Sequence, residues 1–87
     1  MYRSLLGNYL STKEVVIDFF KQNTNKNIKN DVNYFDEDYI DSLGVFELIS
    51  TFEEQFGIEF TDDDFENQNF VIINGLIDII EKKLNNV

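Results

Sequence analysis

Along this chain the apolar residues recur at intervals of three and four rather than in alternation, which predicts helices and no strands. Ser11-Thr12-Lys13-Glu14 reads as a capping box, with Ser11 as N-cap and Glu14 at the third helical position. Val15, Val16, Phe19 and Phe20 follow on one face, so a first helix is expected to run to about Gln22. The next stretch, NTNKNIKNDVN, is rich in Asn and Lys and reads as a long loop. Ile28, Val32, Tyr34 and Phe35 are spaced through it, which predicts a loop that packs down onto the body. The second helix has the clearest pattern. Val45, Leu48, Ile49, Phe52 and Phe56 form one continuous stripe, with Glu47, Glu53 and Glu54 assigned to the opposite side. Ser42 precedes the stripe at the helix start, and Gly57 follows it as a C-terminal cap.

Beyond Ile58-Glu59-Phe60, the segment TDDDFEN suits a short helix capped by Thr61, with Phe65 expected to point inward. The last helix gathers Ile73, Leu76, Ile77, Ile80 and Leu84 on one face, and Lys82 and Lys83 lie near its negative C-terminal end. No hydroxyl stands immediately before Ile73, so Asn69 is expected to cap an earlier start. The fold class that results is all-α. It is a small bundle of three main helices plus one short one, with a long loop between the first two. Residues 1–87 read as a single domain, with 1–10 an N-terminal extension and about 11–85 the bundle.

Charge changes the picture more than size does. Formal net charge is −10, and the fifty-one residues from Asp31 to Glu81 hold fifteen acidic side chains and no Lys or Arg. All seven bases sit towards the two ends: Arg3, Lys13, Lys21, Lys26, Lys29, Lys82 and Lys83. Such a field disfavours nucleic acid and anionic lipid, which need basic contacts, and it steers basic protein surfaces instead. No apolar run is long enough for stable membrane insertion, and the first ten residues do not make a signal peptide. A cytoplasmic monomer is the expectation. Cysteine and histidine are both absent, which removes disulfides, a thiolate nucleophile, the usual general base and the commonest metal ligand.

Within this background the stretch Ile40-Asp41-Ser42-Leu43-Gly44 stands out. A serine nucleophile needs a base to take its proton, and the chain offers only carboxylates. At a helix start, a serine is either an N-cap or an anchor for phosphate, since helix N-termini present unpaired N–H groups and a positive dipole end. Asp41-Ser42-Leu43 opening a helix, Glu47-Leu48, and then Phe52-Glu53-Glu54-Gln55-Phe56-Gly57-Ile58 together resemble the acyl carrier protein family. The resemblance extends backward through Phe35-Asp36 to the first helix and forward to the Ile73–Leu84 helix, covering roughly residues 11 to 85.

What the resemblance implies is specific. Ser42 would be esterified by a 4′-phosphopantetheine arm taken from coenzyme A, and the arm's thiol would hold an acyl or aminoacyl group as a thioester. Partner enzymes of lipid, polyketide, peptide or D-alanyl pathways would use that cargo. The reactive sulfur would be imported and a phosphopantetheinyl transferase would supply the catalysis, so the chain itself would be a carrier and not an enzyme. Asp41 would serve recognition and as a possible metal contact in the transferase complex; its plainer role is a carboxylate favourably placed at a helix start. Leu43, Phe46, Glu47, Glu53 and Glu54 would meet the transferase and the acyl-loading and acyl-transferring enzymes, whose docking surfaces would be basic. Some positions depart from the family pattern. Carriers of fatty-acid synthesis commonly have a small pair such as Gly-Ala where this chain has Tyr39-Ile40, and an acidic residue where it has Gly44. Phe35 to Ser42 looks nearer to D-alanyl carriers and stand-alone carriers of specialised pathways.

Competing chemistry fares worse. Asp36, Asp38 and Glu47 match positions 1, 3 and 12 of a calcium loop, but Ile40 occupies a ligand position and Asp41 replaces the turn glycine. No metal site is expected there, and the aspartates at 62 to 64 read as a solvated helix start. Glu53 and Glu54 are adjacent on a helix and do not face each other, so they cannot flank a substrate as a catalytic pair. The rival that stays open is an unmodified carrier-like interaction module that uses its acidic helix to bind basic protein partners.

Overall fold

The computed structural model describes residues 11–85 of the chain, so the expected extension at 1–10 lies outside the described residues. Four α-helices follow in order: α1 (Thr12–Asn23), α2 (Ser42–Phe56), α3 (Asp62–Glu66) and α4 (Ile73–Asn85). A 3₁₀ turn, Gln68–Val71, leads directly into α4. No strand is present among the described residues; one isolated antiparallel bridge joins Asn33 to Ile72. The all-α bundle with one short helix is therefore what the apolar spacing predicts.

Local chemistry sets the helix ends. The α1 capping box forms in both directions: Ser11 Oγ accepts the Glu14 N–H at 3.1 Å, and Glu14 Oε1 accepts the Ser11 N–H at 2.9 Å. α2 stops at Gly57, which sits in the left-handed region at φ 67° and donates its N–H to the Glu53 carbonyl. A side chain there would be strained, which is why glycine ends this helix. Thr61 caps α3 as expected.

The core is a single apolar cluster, and no polar or charged residue is buried among the described residues. α1 contributes Val16 and Phe20, α2 contributes Leu48 and Phe52, and α4 contributes Ile73, Leu76 and Ile80, all fully buried. The Phe19 and Phe52 rings meet edge-on with centroids 5.2 Å apart, tying α1 to α2. Val45, Ile49 and Phe56 pack at the margin of the cluster, so the expected stripe of α2 is the one that faces inward.

The long loop packs down as its apolar spacing suggested, and Tyr34 is the residue that holds it. Its side chain is fully buried, its hydroxyl donates to the Phe70 carbonyl at 2.6 Å, and its N–H donates to the Val71 carbonyl at 2.8 Å. Burial pushes the phenol far above its usual range, so it remains a hydrogen-bond donor. Asn74 N–H reaches the Asn30 carbonyl at 2.9 Å, giving the first turn of α4 a partner from the same loop. Loop, 3₁₀ turn and α4 thus form one hydrogen-bonded junction. Gly75 lets them close: a Cβ there would stand 2.4 Å from the Asn69 carbonyl oxygen.

Three expectations are corrected. Asn67, not Asn69, provides the cap before α4, its side chain accepting the Asn69 N–H at 2.9 Å to start the 3₁₀ turn. Phe65 lies at the surface, because five residues of α3 are too few to turn it under; its ring meets Phe70 edge-on at 5.3 Å instead. The three aspartates of α3 are not uniformly solvated. Asp64 accepts the Thr61 N–H and pairs with Lys83 Nζ at 2.6 Å. Partial burial would raise the Asp64 carboxyl, but the bond to Lys83 and those to Thr61 outweigh it and hold the carboxyl below its usual value.

Candidate functional site at the start of helix α2

Ser42 is the first residue of α2 and is exposed. The capping duty falls on its neighbour: Asp41 is the N-cap, with extended backbone at φ −103° and ψ −172°, and its Oδ1 accepts the Gly44 N–H at 2.9 Å. The plainer role of Asp41 as a helix-start carboxylate is therefore the one observed. The Ser42 hydroxyl is left out of the cap. Its own N–H and that of Leu43 come before the helix's hydrogen-bond ladder, which opens with Val45 N–H on the Asp41 carbonyl at 3.0 Å.

Around this serine the surface is unusual in what it exposes. Leu43 is 77% and Phe46 70% accessible, both within one turn of Ser42. Glu47 and Glu54 are exposed on the same side of the helix. Glu53 is not part of that outward face. It follows Ile49 by one turn, so it points towards the chain leaving α2, where its Oε2 accepts the Phe60 N–H at 2.9 Å and it is half-buried. Of the three glutamates expected on the acidic face, Glu47 and Glu54 remain and Glu53 does not.

Beside the serine, between the end of α1 and the start of α2, lies a groove of about 440 Å³ lined by Asn23, Asp38, Tyr39, Ile40, Asp41, Leu43, Gly44 and Glu47. Among the described residues three carboxylates line it and no base does. Asp38 takes a left-handed conformation at φ 59°, which turns the loop so that Tyr39 and Ile40 enter the core. Sequence reasoning weighed Asp38 only as a calcium ligand and overlooked Asn23; no pattern along the chain marks either as lining this groove. No group of three or more acidic residues among the described ones is arranged to hold a metal ion.

The two departures next to the serine lie against each other. Ile40 is buried under the first turn of α2, and a Cβ at position 44 would stand 3.0 Å from the Ile40 Cβ. A side chain at 44 would therefore crowd the residue at 40, through its Cβ rather than its branch. Tyr39 is buried as well, its hydroxyl accepting the Lys29 N–H at 2.9 Å and donating to the Asn27 carbonyl at 3.0 Å.

An exposed hydroxyl at a helix start, free of capping and next to two unladdered N–H groups, fits an esterified phosphate. Comparison with known proteins places the chain in a family. The phosphopantetheine attachment site family matches residues 13–71, which includes α1, the loop, α2 and α3. The chain belongs to the acyl carrier protein family. The acyl carrier protein of Zymomonas mobilis is 35% identical over 54 residues, covering 62% of this chain and 68% of that relative. The acyl carrier protein of Buchnera aphidicola from Acyrthosiphon pisum (strain APS) is 43% identical over 56 residues, covering 64% and 68%. That of Buchnera aphidicola from Baizongia pistaciae is 48% identical over 42 residues, and there the match spans about half of each chain. No solved structure matches significantly. Domains of this family are the site of covalent 4′-phosphopantetheine attachment in acyl carrier proteins, and such proteins are carriers that work with enzymes. No described helix is long and apolar enough to cross a membrane.

Proposed function

We propose that Ser42 is the residue through which this carrier holds 4′-phosphopantetheine, within a carrier domain at residues 11–85. The observation that carries the reading is the division of labour at the start of α2: Asp41 caps the helix, so the exposed Ser42 hydroxyl can be spent on a phosphodiester without loss of the cap. In that step the hydroxyl gives up its proton and bonds to the pantetheine-side phosphorus of coenzyme A, whose pyrophosphate P–O bond breaks to release adenosine 3′,5′-bisphosphate. The chain has no histidine or cysteine, so the proton goes to a base of the modifying transferase. When bound, the group supplies a thiol on which an acyl or aminoacyl unit is held as a thioester.

Partner enzymes meet the carrier at the same end. Leu43 and Phe46 give an apolar contact, Glu47 and Glu54 face basic side chains, and the groove with Asp38, Asp41 and Glu47 accepts the tip of one of them. Asp41 serves recognition through the carboxylate oxygen the cap does not use, and Glu53 acts mainly by holding Phe60. Tyr39, Ile40 and Gly44 support a stand-alone carrier of a specialised or D-alanyl pathway over one of fatty-acid synthesis, because they depart from the residues common in carriers of fatty-acid synthesis.

Peptide-level mass spectrometry of the protein purified from its own cells tests the reading, which expects the arm on the peptide containing Ser42. A chain that is always unmodified there would support the interaction module instead. The docking face has its own readout. Reversing Glu47 and Glu54 together should slow modification at low salt, with the gap narrowing at high salt, whereas Leu43→Ala should impair it at every salt concentration.

A further inference from the structure

The four described lysines of the N-terminal half behave differently from the two of the C-terminal end. Lys82 pairs with Asp78 and Lys83 with Asp64, while Lys13, Lys21, Lys26 and Lys29 make no ion pair among the described residues. In a chain with seventeen carboxylates this segregation needs a cause. Asp18 is three residues from Lys21, but its Oδ2 accepts the Gln22 amide at 2.8 Å instead. Lys21 and Lys26 converge on a groove of about 620 Å³ between α1 and the following loop, completed by Ile17, Thr24, Asn27, Ile28 and Asn30. No carboxylate lines it.

The groove is held in shape. Lys26 Nζ donates to the Glu37 carbonyl at 3.0 Å, which fixes the ammonium and leaves two of its three N–H groups unused. The Tyr39 hydroxyl ties down Asn27 and Lys29 behind it. Ile17 and Ile28 are half-buried against the core and give the groove an apolar wall.

We infer that this groove docks an acidic segment of a partner protein, with an aliphatic side chain against Ile17 and Ile28 and flanking carboxylates on Lys21 and Lys26. Its volume is in the range of binding clefts, roughly 300–1,000 Å³. Asp18, one turn before Lys21, and Glu37, whose carbonyl holds Lys26, are the carboxylates nearest the two lysines and do not line the groove; those beyond the Debye length of ~8 Å are largely screened. That same net charge disfavours an anionic membrane or a nucleic acid, which would lay many phosphates against the whole surface. The carrier thus presents two faces of opposite sign: the acidic α2 face for basic partners and this groove for an acidic one.

The test is a titration of ¹⁵N-labelled full-length protein at physiological ionic strength with a capped pentapeptide alternating glutamate and leucine. Amide shifts should cluster at Lys21, Thr24, Asn27, Ile28 and Asn30, and a glutamine version of the peptide should not produce them. Lys21→Gln should weaken binding about two- to fivefold, the scale of one exposed ion pair, while Lys82→Gln should leave it unchanged. Ser42→Ala should bind the peptide as wild type does, since this groove does not depend on the attachment residue. Absent or scattered shifts would overturn the inference. So would the same shifts from sodium phosphate alone, which would reveal a simple anion site, or from phosphatidylserine vesicles, which would reveal a membrane surface.

Discussion

Two regions of the molecule are built to opposite specifications. At the junction of loop, 3₁₀ turn and α4, backbone groups and a buried tyrosine are hydrogen-bonded so closely that Gly75 has no room for a methyl group. At the start of α2, Leu43, Phe46 and the Ser42 hydroxyl face solvent with no described residue packed over them. Apolar groups left in water cost stability that burial would recover, so their exposure next to a free hydroxyl points to contacts made with other molecules. Rigidity at the junction keeps the exposed end in place. The comparison predicts that mutations in the packed region unfold the protein, and that mutations at the exposed end spare the fold.

The largest effect is expected from Phe52→Ala. This ring is fully buried and touches Phe19 and Phe56, so its loss should cost about 3–5 kcal/mol. A domain this small holds on the order of 5 kcal/mol, and circular dichroism should find the variant largely unfolded. A melting curve like that of wild type would mean that the core does not depend on α2 as described. Next comes Tyr34→Phe, which keeps the ring and orphans the Phe70 carbonyl, for a loss of about 1–3 kcal/mol in urea denaturation. An unchanged midpoint would remove the junction's claim to special rigidity. Smallest is the pair at the exposed end. Asp41→Ala should lose about 1 kcal/mol through the cap. Ser42→Ala should stay within about 0.5 kcal/mol of wild type. Equal losses would show that the serine shares the capping duty.

The contrast between these regions also explains what could be read from the chain alone. α1, α2 and their ends were legible because each signal is local: Ser11 with Glu14 is a complete capping box, and the stripe from Val45 to Phe56 ends at a glycine. The carrier resemblance at Ser42 was legible because it lies in consecutive residues. What was hidden depends on partners distant in sequence. Ile79 is buried although the periodicity left it off the apolar face, because the 3₁₀ turn packs over α4 and widens the buried side. Glu53 is drawn inward by Phe60, and Asp64 finds Lys83 nineteen residues away. The exchange of roles between Asp41 and Ser42 is a shift of one residue, below what capping preferences resolve, since both residue types favour the N-cap.

The central claim is that Ser42, freed from capping, is the attachment residue. Its most direct test is the intact mass of purified unmodified protein after incubation with coenzyme A and a broad-specificity phosphopantetheinyl transferase. The account predicts one phosphopantetheinyl unit added to the wild type and none to a folded Ser42→Ala variant. Addition to that variant, or none to the wild type under conditions that modify another carrier, would contradict it.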